Sequence, residues 1–277
     1  LFVVGGAQAI AAMAIGTQTV PKVDMIVGPG NAYVAEAKRQ LLGQVGIDGL
    51  AGPSEVAVVV DAPRRVPAAV LELLAQAEHD PDARIVGLAV GAETHAALAQ
   101  QLAAATAQVP RQAVVKAALA ATAAVLPERL GALTESAPTT SGLPLVACAD
   151  LDEALAYVER MAPEHLSLLV DEPSSAWGRV RNAPASFLGE WSPVAAGDYS
   201  AGTDHILPTG GSARWSGAVG VWSFLRPQQA FQGSEQGVAA WAGAALRIAQ
   251  AEGLENHARA VAARIKEEVE RRVAHQA

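Results

Sequence analysis

Three short stretches of the chain bring together imidazole, carboxylate and amide side chains that could act on a substrate or hold a metal. The first is Gln76-Ala-Glu-His79, which closes a stretch of helical periodicity and leads into Asp80-Pro81. Positions three apart share a helix face, so Gln76 and His79 can point at one place. An imidazole near a helix end can equally act as a capping cation. On spacing alone Glu78 or Asp80 is the more conventional ligand, because glutamine seldom binds zinc. The second stretch, Ala162-Pro-Glu-His165, falls between an expected helix and an expected strand. Glu164 beside His165 supplies two titratable groups whose pKa values can be set apart, which suits acid–base work. Two solvated groups at a capped helix end would read the same way. The third, Gly197-Asp-Tyr-Ser-Ala-Gly-Thr-Asp-His205, sets Asp198 and His205 in a glycine-rich loop. Asp, His and Tyr together suit a metal or a polar substrate. Asp198 by itself could merely shape a turn.

Weaker signals surround these. Gly28-Pro-Gly-Asn31 follows a strand and opens a helix, and Ala51-Gly-Pro-Ser-Glu55 precedes a strand. Amides at a helix start favour an anion, yet neither stretch is a phosphate-binding loop or a G-x-G-x-x-G turn. Gly5-Gly-Ala-Gln8 says less still. Glu252-Gly-Leu-Glu-Asn-His257 lies in a helical tail, where a lone histidine is ordinarily solvated. His95 and His275 read as exposed residues without a role.

The elements that must position these groups alternate. Apolar runs at 1–4, 23–27, 56–60 and 84–89 read as strands, and 8–15, 32–42, 66–78 and 93–108 as helices. That rhythm predicts an α/β fold with a parallel sheet flanked by helices. A helix at 112–122 and a loose segment at 136–142 follow. The rhythm resumes with a strand at 145–147, a helix at 151–161 capped by Asp150, and a strand at 166–170. Residues 182–211 carry little periodicity and are expected to form a long functional loop. Helices are expected at 235–250 and 254–274, an amphipathic tail apart from the body. The opening run, 1–4, has no Met before it and reads as a buried strand whose neighbours would lie in sequence that is not here, or else as the edge strand of a complete domain.

Composition narrows the class. Half of the residues are hydrophobic, so a packed core is expected rather than disorder. A net charge of -8 without a basic run argues against nucleic acid or an anionic membrane as the main partner. The single cysteine, Cys148, cannot form an internal disulfide, and no apolar run is long enough to span a bilayer. A cytoplasmic location is the expectation.

Taken in order, the motifs resemble the histidinol dehydrogenases. The signature run is Ile47-Asp-Gly-Leu-Ala-Gly-Pro-Ser-Glu-Val56 followed by Gln76-Ala-Glu-His79. Before it stand Gly5-Gly-Ala-Gln-Ala-Ile10, Val23-Asp24, Gly28-Pro-Gly-Asn31 and Ala37-Lys38. After it come Ala162-Pro-Glu-His-Leu166, Gly197-Asp-Tyr199, His205-Ile-Leu-Pro-Thr209, and Glu252-Gly-Leu254 with His257. The resemblance implies incomplete Rossmann-like units: an NAD-side part at 1–50, a catalytic part at 51–222 and a helical tail at 223–277. It implies zinc on Gln76, His79, Asp198 and His257. It places Ser54, His205 and Glu252 at the substrate with those ligands and His165, and Glu164 and His165 as the acid–base pair. Gln8 and Asn31 would contact NAD. The implied reaction oxidises L-histidinol to L-histidine with two NAD, as the last step of histidine biosynthesis, in a homodimer that exchanges its tails. The stretch Val221-Trp-Ser-Phe-Leu-Arg226 departs from the lysine-containing version that the resemblance leads one to expect. Two other readings compete: a catalytically incomplete piece of that enzyme, and an unrelated zinc hydrolase.

Overall fold

The structure, a computed structural model, describes residues 1–130, 142–234 and 237–276. The chain first forms helix α1 (Gly6–Ile15), strand β1 (Met25–Ile26), helix α2 (Ala32–Leu41) and strand β2 (Gly46–Ile47). The two short strands pair in parallel. Ile10, Ala14, Ile26 and Val45 make a small core beneath them. Residues 1–4, expected as a buried strand, pair with no strand among the described residues and stand exposed. An apolar run favours burial, but a strand also requires a neighbour with free N–H and C=O groups. The two-residue strands β1 and β2 provide none to this segment.

A larger sheet follows. Strands β3 (Glu55–Val60), β4 (Arg84–Val90), β5 (Leu145–Cys148), β6 (His165–Leu169) and β7 (Ala185–Leu188) run parallel in the order β5-β4-β3-β6-β7. Counted from β3, that is 3-2-1-4-5, the order of the doubly wound nucleotide-binding fold. Helices α3 (Val66–Ala77), α4 (Ala92–Thr106) and α5 (Gln112–Leu130) cover one face, where Val56, Val58 and Val60 meet Leu73, Leu98 and Val115. Helix α6 (Leu151–Met161) and the short α7 (Pro173–Trp177) cover the other, where Ala57 and Val59 meet Leu155, Val158 and Ala176. Burial on both faces is why β3 reads as an unbroken apolar run rather than an alternating one.

The expectation of a parallel α/β fold is met, and α6 spans the expected residues. Its cap is also as expected: the Asp150 carboxylate accepts from the Glu153 amide at 2.8 Å. The long loop expected at 182–211 instead contains β7 and helix α8 (Val194–Tyr199). Four residues are too few to show a period, and β7 exists because β6 offers it an edge. Of the loose segment at 136–142, all but Gly142 lies outside the described residues, as do 235 and 236 of the expected tail helix.

The chain divides into two compact units, Leu1–Leu225 and Arg226–Ala277. The second consists chiefly of helices α9 (Val238–Ala251) and α10 (Glu255–Gln276), which pack on each other. Among the described residues no helix is long and apolar enough to cross a membrane.

Candidate active site

Ligands in open α/β sheets usually bind beyond the carboxyl ends of the strands. At that end, between β3 and β6, Arg65 is paired with Asp61, Asp171 and Glu190. The chemistry-bearing residues gather at the opposite, amino end, where β3 begins at Glu55 and β6 at His165.

Local structure delivers them there. Helix α6 ends on Ala162 in the left-handed region, at φ 48°, the one positive φ among the described non-glycine residues. That conformation costs an alanine about 1–2 kcal/mol. Pro163 cannot continue the helix, so the chain turns into β6 with Glu164 and His165 at its mouth. Both side chains are buried.

Glu55 holds this pair through its backbone. Its N–H donates to Glu164 Oε2 at 2.8 Å, and His165 Nδ1 lies 3.0 Å from its carbonyl. A carbonyl only accepts, so Nδ1 carries the hydrogen and Nε2 keeps its lone pair. The Glu55 carboxylate, itself buried, accepts from Arg84 Nη1 at 3.2 Å and from the Gly210 amide at 3.3 Å. One residue thereby joins β3, β6, β4 and the segment after α8. Nearby, the Gly52 amide donates to Thr209 Oγ1 at 2.6 Å.

Electrostatics separates the two central groups. Burial, aided by the charges of Glu55 and Asp198, raises the Glu164 carboxyl from 4.5 to about 8 against the opposing Glu55 hydrogen bond. Burial lowers the His165 imidazole below its ordinary value, with the His79 ring acting the same way and Asp198 acting against it. Nδ1 and Glu164 Oε2 stand 3.6 Å apart, beyond hydrogen-bond reach. At neutral pH the pair is therefore a buried acid beside a neutral base, not an ion pair. A base with a free nitrogen and an acid of high pKa are the equipment of general acid–base catalysis.

The same influences show what faces this point. Asp198 acts on both Glu164 and His165, and His79 acts on His165. Gln76 is buried in the last turn of α3, and His79 follows in a turn closed by its amide on the Gln76 carbonyl at 3.3 Å. Asp198, expected in a loop, sits on α8, because Val194 through Tyr199 complete a helical turn after Pro193. Gly197 allows α8 to lie close: a Cβ there would stand 2.6 Å from Phe187 Cζ, and the Phe187 ring centroid is 6.2 Å from that of His165. Gly197→Ala is expected to lower stability by about 1–3 kcal/mol through overpacking, and Phe187→Leu in the same chain to restore most of it. Urea midpoints of the single and double variants check this; an additive double variant would mean that the two residues do not meet.

Among the remaining candidates, Ser54 directly precedes Glu55 and is half-buried, while His205 is exposed four residues before Thr209. Gln8 lies exposed in the first turn of α1. Asn31 caps α2, its Oδ1 accepting from the Tyr33 and Val34 amides at 3.1 Å each. Its loop is clamped from below. Lys38 Nζ donates to the Gly28 carbonyl at 2.6 Å and to Asp48 at 2.5 Å, while the Gly28 amide donates to Asp48 at 2.7 Å. Glu252 and His257, both exposed, belong to the second unit.

Sequence reasoning assigned no role to Glu55, Glu72 or the Lys38–Asp48 pair, although Lys38, Asp48 and Glu55 stand within its motifs. A glutamate opening a fully apolar strand was the available signal for Glu55, since burying a carboxylate requires partners.

Fold and site together define an α/β protein of the doubly wound class with a buried glutamate and histidine side by side at the amino end of its sheet. The chain belongs to the histidinol dehydrogenase family, whose model matches residues 1–265. It is 44% identical over 262 residues to a histidinol dehydrogenase of Prochlorococcus marinus, covering 95% of this chain and 55% of that one. It is 41% identical over 272 residues to that of Geobacter metallireducens, covering 98% and 58%. The crystal structure of the Elizabethkingia anophelis histidinol dehydrogenase superposes with a TM-score of 0.79 at 32% identity, covering 95% of this chain and 56% of that one. The chain thus spans about half the length of the curated relatives it matches.

Proposed function

We propose that this chain supplies the acid–base centre and most of the metal ligands of an NAD-linked, zinc-dependent L-histidinol dehydrogenase, the oxidoreductase that ends histidine biosynthesis. The observation that carries the reading is the buried pair at the head of β6: His165 presents a free Nε2, and Glu164 is held by the Glu55 amide. His165 would take the proton of the substrate hydroxyl as hydride leaves for the nicotinamide. Glu164, once deprotonated, would take a proton from the water that hydrates the aldehyde before the second oxidation. Burial excludes bulk water from both.

The donor set suits zinc. Gln76 offers an amide oxygen, His79 an imidazole nitrogen and Asp198 a carboxylate oxygen. Among the described residues no three His, Cys, Asp or Glu side chains cluster as a metal centre. The proposed set instead takes one ligand from Gln76 and another, His257, from the C-terminal unit. When bound, zinc supplies an anchor for the substrate's nitrogens and a positive charge near the alcohol oxygen. Ser54, His205 and Glu252 would complete the polar wall around the substrate, and Gln8 and Asn31 would meet NAD. A cytoplasmic location accords with a single, buried cysteine.

In this reading the helical tail exchanges between the subunits of a homodimer, so that Glu252 and His257 complete the partner's site. Swapping a terminal element is a low-cost route to a dimer. Two experiments test the proposal. NADH formation from L-histidinol with zinc is expected when these residues are joined to the N-terminal part of a curated relative. Activity of that joined chain but not of the 277 residues alone would favour the incomplete-piece reading, and none in either would end the assignment. Mixing His165→Asn with His257→Asn subunits is expected to restore activity, because one site then draws an intact body and an intact tail. A mixture as inactive as its parents would place the tail in its own subunit's site.

A further inference from the structure

Glu72 is a buried carboxylate on α3, among the apolar residues Ala69, Leu73 and Ala77 that face the core. Burying an acid is costly unless it is engaged. Its Oε2 accepts from the amide of Val194, the first residue of α8, at 3.1 Å. That amide needs an acceptor. The residue before it, Pro193, stands at the cap position with no side-chain oxygen to offer, and Val194 is buried. The first amides of a helix have no partner within it, so an acid from another helix takes the place of the missing cap.

The position of the bond has a consequence for the site. Gln76 lies one helical turn beyond Glu72 on the same face of α3, and Asp198 lies one turn beyond Val194 on α8. Tying Glu72 to Val194 brings one turn of each helix into register, and the next turn of each carries a proposed zinc ligand. At the other end of α8, Gly197 rests on Phe187. The short helix is therefore held by a hydrogen bond at its start and by close packing near its end.

We infer that Glu72 is a positioning residue that sets α8 against α3 and thereby fixes where Asp198 stands relative to Gln76 and His79. The inference rests on the zinc reading above. It goes further in assigning the ligand geometry to a residue that touches neither metal nor substrate.

Cobalt(II) is the probe, since its visible absorption reports ligand geometry as well as occupancy. The chain is titrated with cobalt in competition with a chromophoric chelator, beside Glu72→Gln, Glu72→Leu, Val194→Pro and Asp198→Asn. Glutamine keeps an acceptor oxygen, leucine removes it, and proline removes the donor at a helix position that tolerates proline. Glu72→Leu and Val194→Pro are expected to weaken cobalt binding by about 10–100-fold, the range typical of groups that orient ligands, and to alter the spectrum. Glu72→Gln is expected to bind within a few-fold of the parent with the parent's spectrum. Should Glu72→Leu fail to fold, Val194→Pro and Glu72→Gln decide the matter. If Asp198→Asn weakens binding while neither Glu72→Leu nor Val194→Pro does, the positioning role falls and the zinc reading stands. The positioning role also falls if Glu72→Gln is as impaired as Glu72→Leu. If Asp198→Asn binds like the parent, or the parent binds no cobalt, the zinc reading fails and takes this inference with it.

Discussion

A full-length family chain carrying these residues is expected to lose about 10²–10⁴-fold in turnover when His165 is replaced by Asn, for the alcohol and aldehyde steps alike. The substitution is chosen for what it preserves. An asparagine amide can still donate to the Glu55 carbonyl, so the head of β6 keeps its link to β3. It lacks the Nε2 lone pair that would accept the substrate's proton. Both oxidations release a proton from an oxygen as hydride departs, so both should slow. Steady-state NADH formation from histidinol and from its aldehyde measures this, with zinc content determined in parallel. A loss under tenfold would mean that another base does the work, and loss of zinc would mean that His165 is part of the metal site's frame.

The second large effect concerns Glu164 and pH. Its carboxyl sits at about 8 in the fold, against an ordinary value of 4.5, chiefly through burial. The folded chain therefore holds this proton more tightly than the unfolded one. The resulting stability is fully present below 4.5 and is lost as pH rises through about 8. That gap corresponds to roughly 5 kcal/mol at most. Glu164→Gln keeps an oxygen for the Glu55 amide but has no proton to lose. Urea midpoints between pH 5 and pH 9, taken with a chelator present, should fall for the parent relative to the variant. Parallel curves would show that the carboxyl ionises at its ordinary value. The same variant should impair aldehyde oxidation, which needs activated water, more than alcohol oxidation. Equal impairment of both would remove the water-activating role. In the parent, the aldehyde step should quicken as pH rises toward 8, because the carboxylate form does that work.

Much of this was legible in the order of residues. The run Val56–Val60 is apolar without alternation because both faces of β3 are covered, and that pattern needs no coordinates to be read as a buried parallel strand. Asp150 announces the start of α6 because its carboxylate accepts from an amide three residues on, a wholly local event. Pro163 after a helix similarly announces the turn that presents Glu164 and His165. The ordered motifs carried the family, since each is a local constraint on chemistry that survives without knowledge of the fold.

Other features could not be read because they depend on what lies beside a segment, not within it. Residues 1–4 are as apolar as a strand, yet they stand exposed and join no edge among the described residues. Phe187 belongs to a strand only because β6 runs alongside, with Ser167 opposite it. Asp198 rides on a helix whose first amide is answered by Glu72, 122 residues earlier. Glu55 looked like the boundary of a strand, and only the approach of β6 made its N–H and carbonyl the supports of Glu164 and His165. Sequence by itself determined which groups are available and which local turns present them. Tertiary structure alone decided their states, because moving a carboxyl and an imidazole out of water shifts both toward neutrality, and the groups that add to or oppose that shift, Glu55 on β3, Asp198 on α8 and His79 after α3, are far apart in the chain.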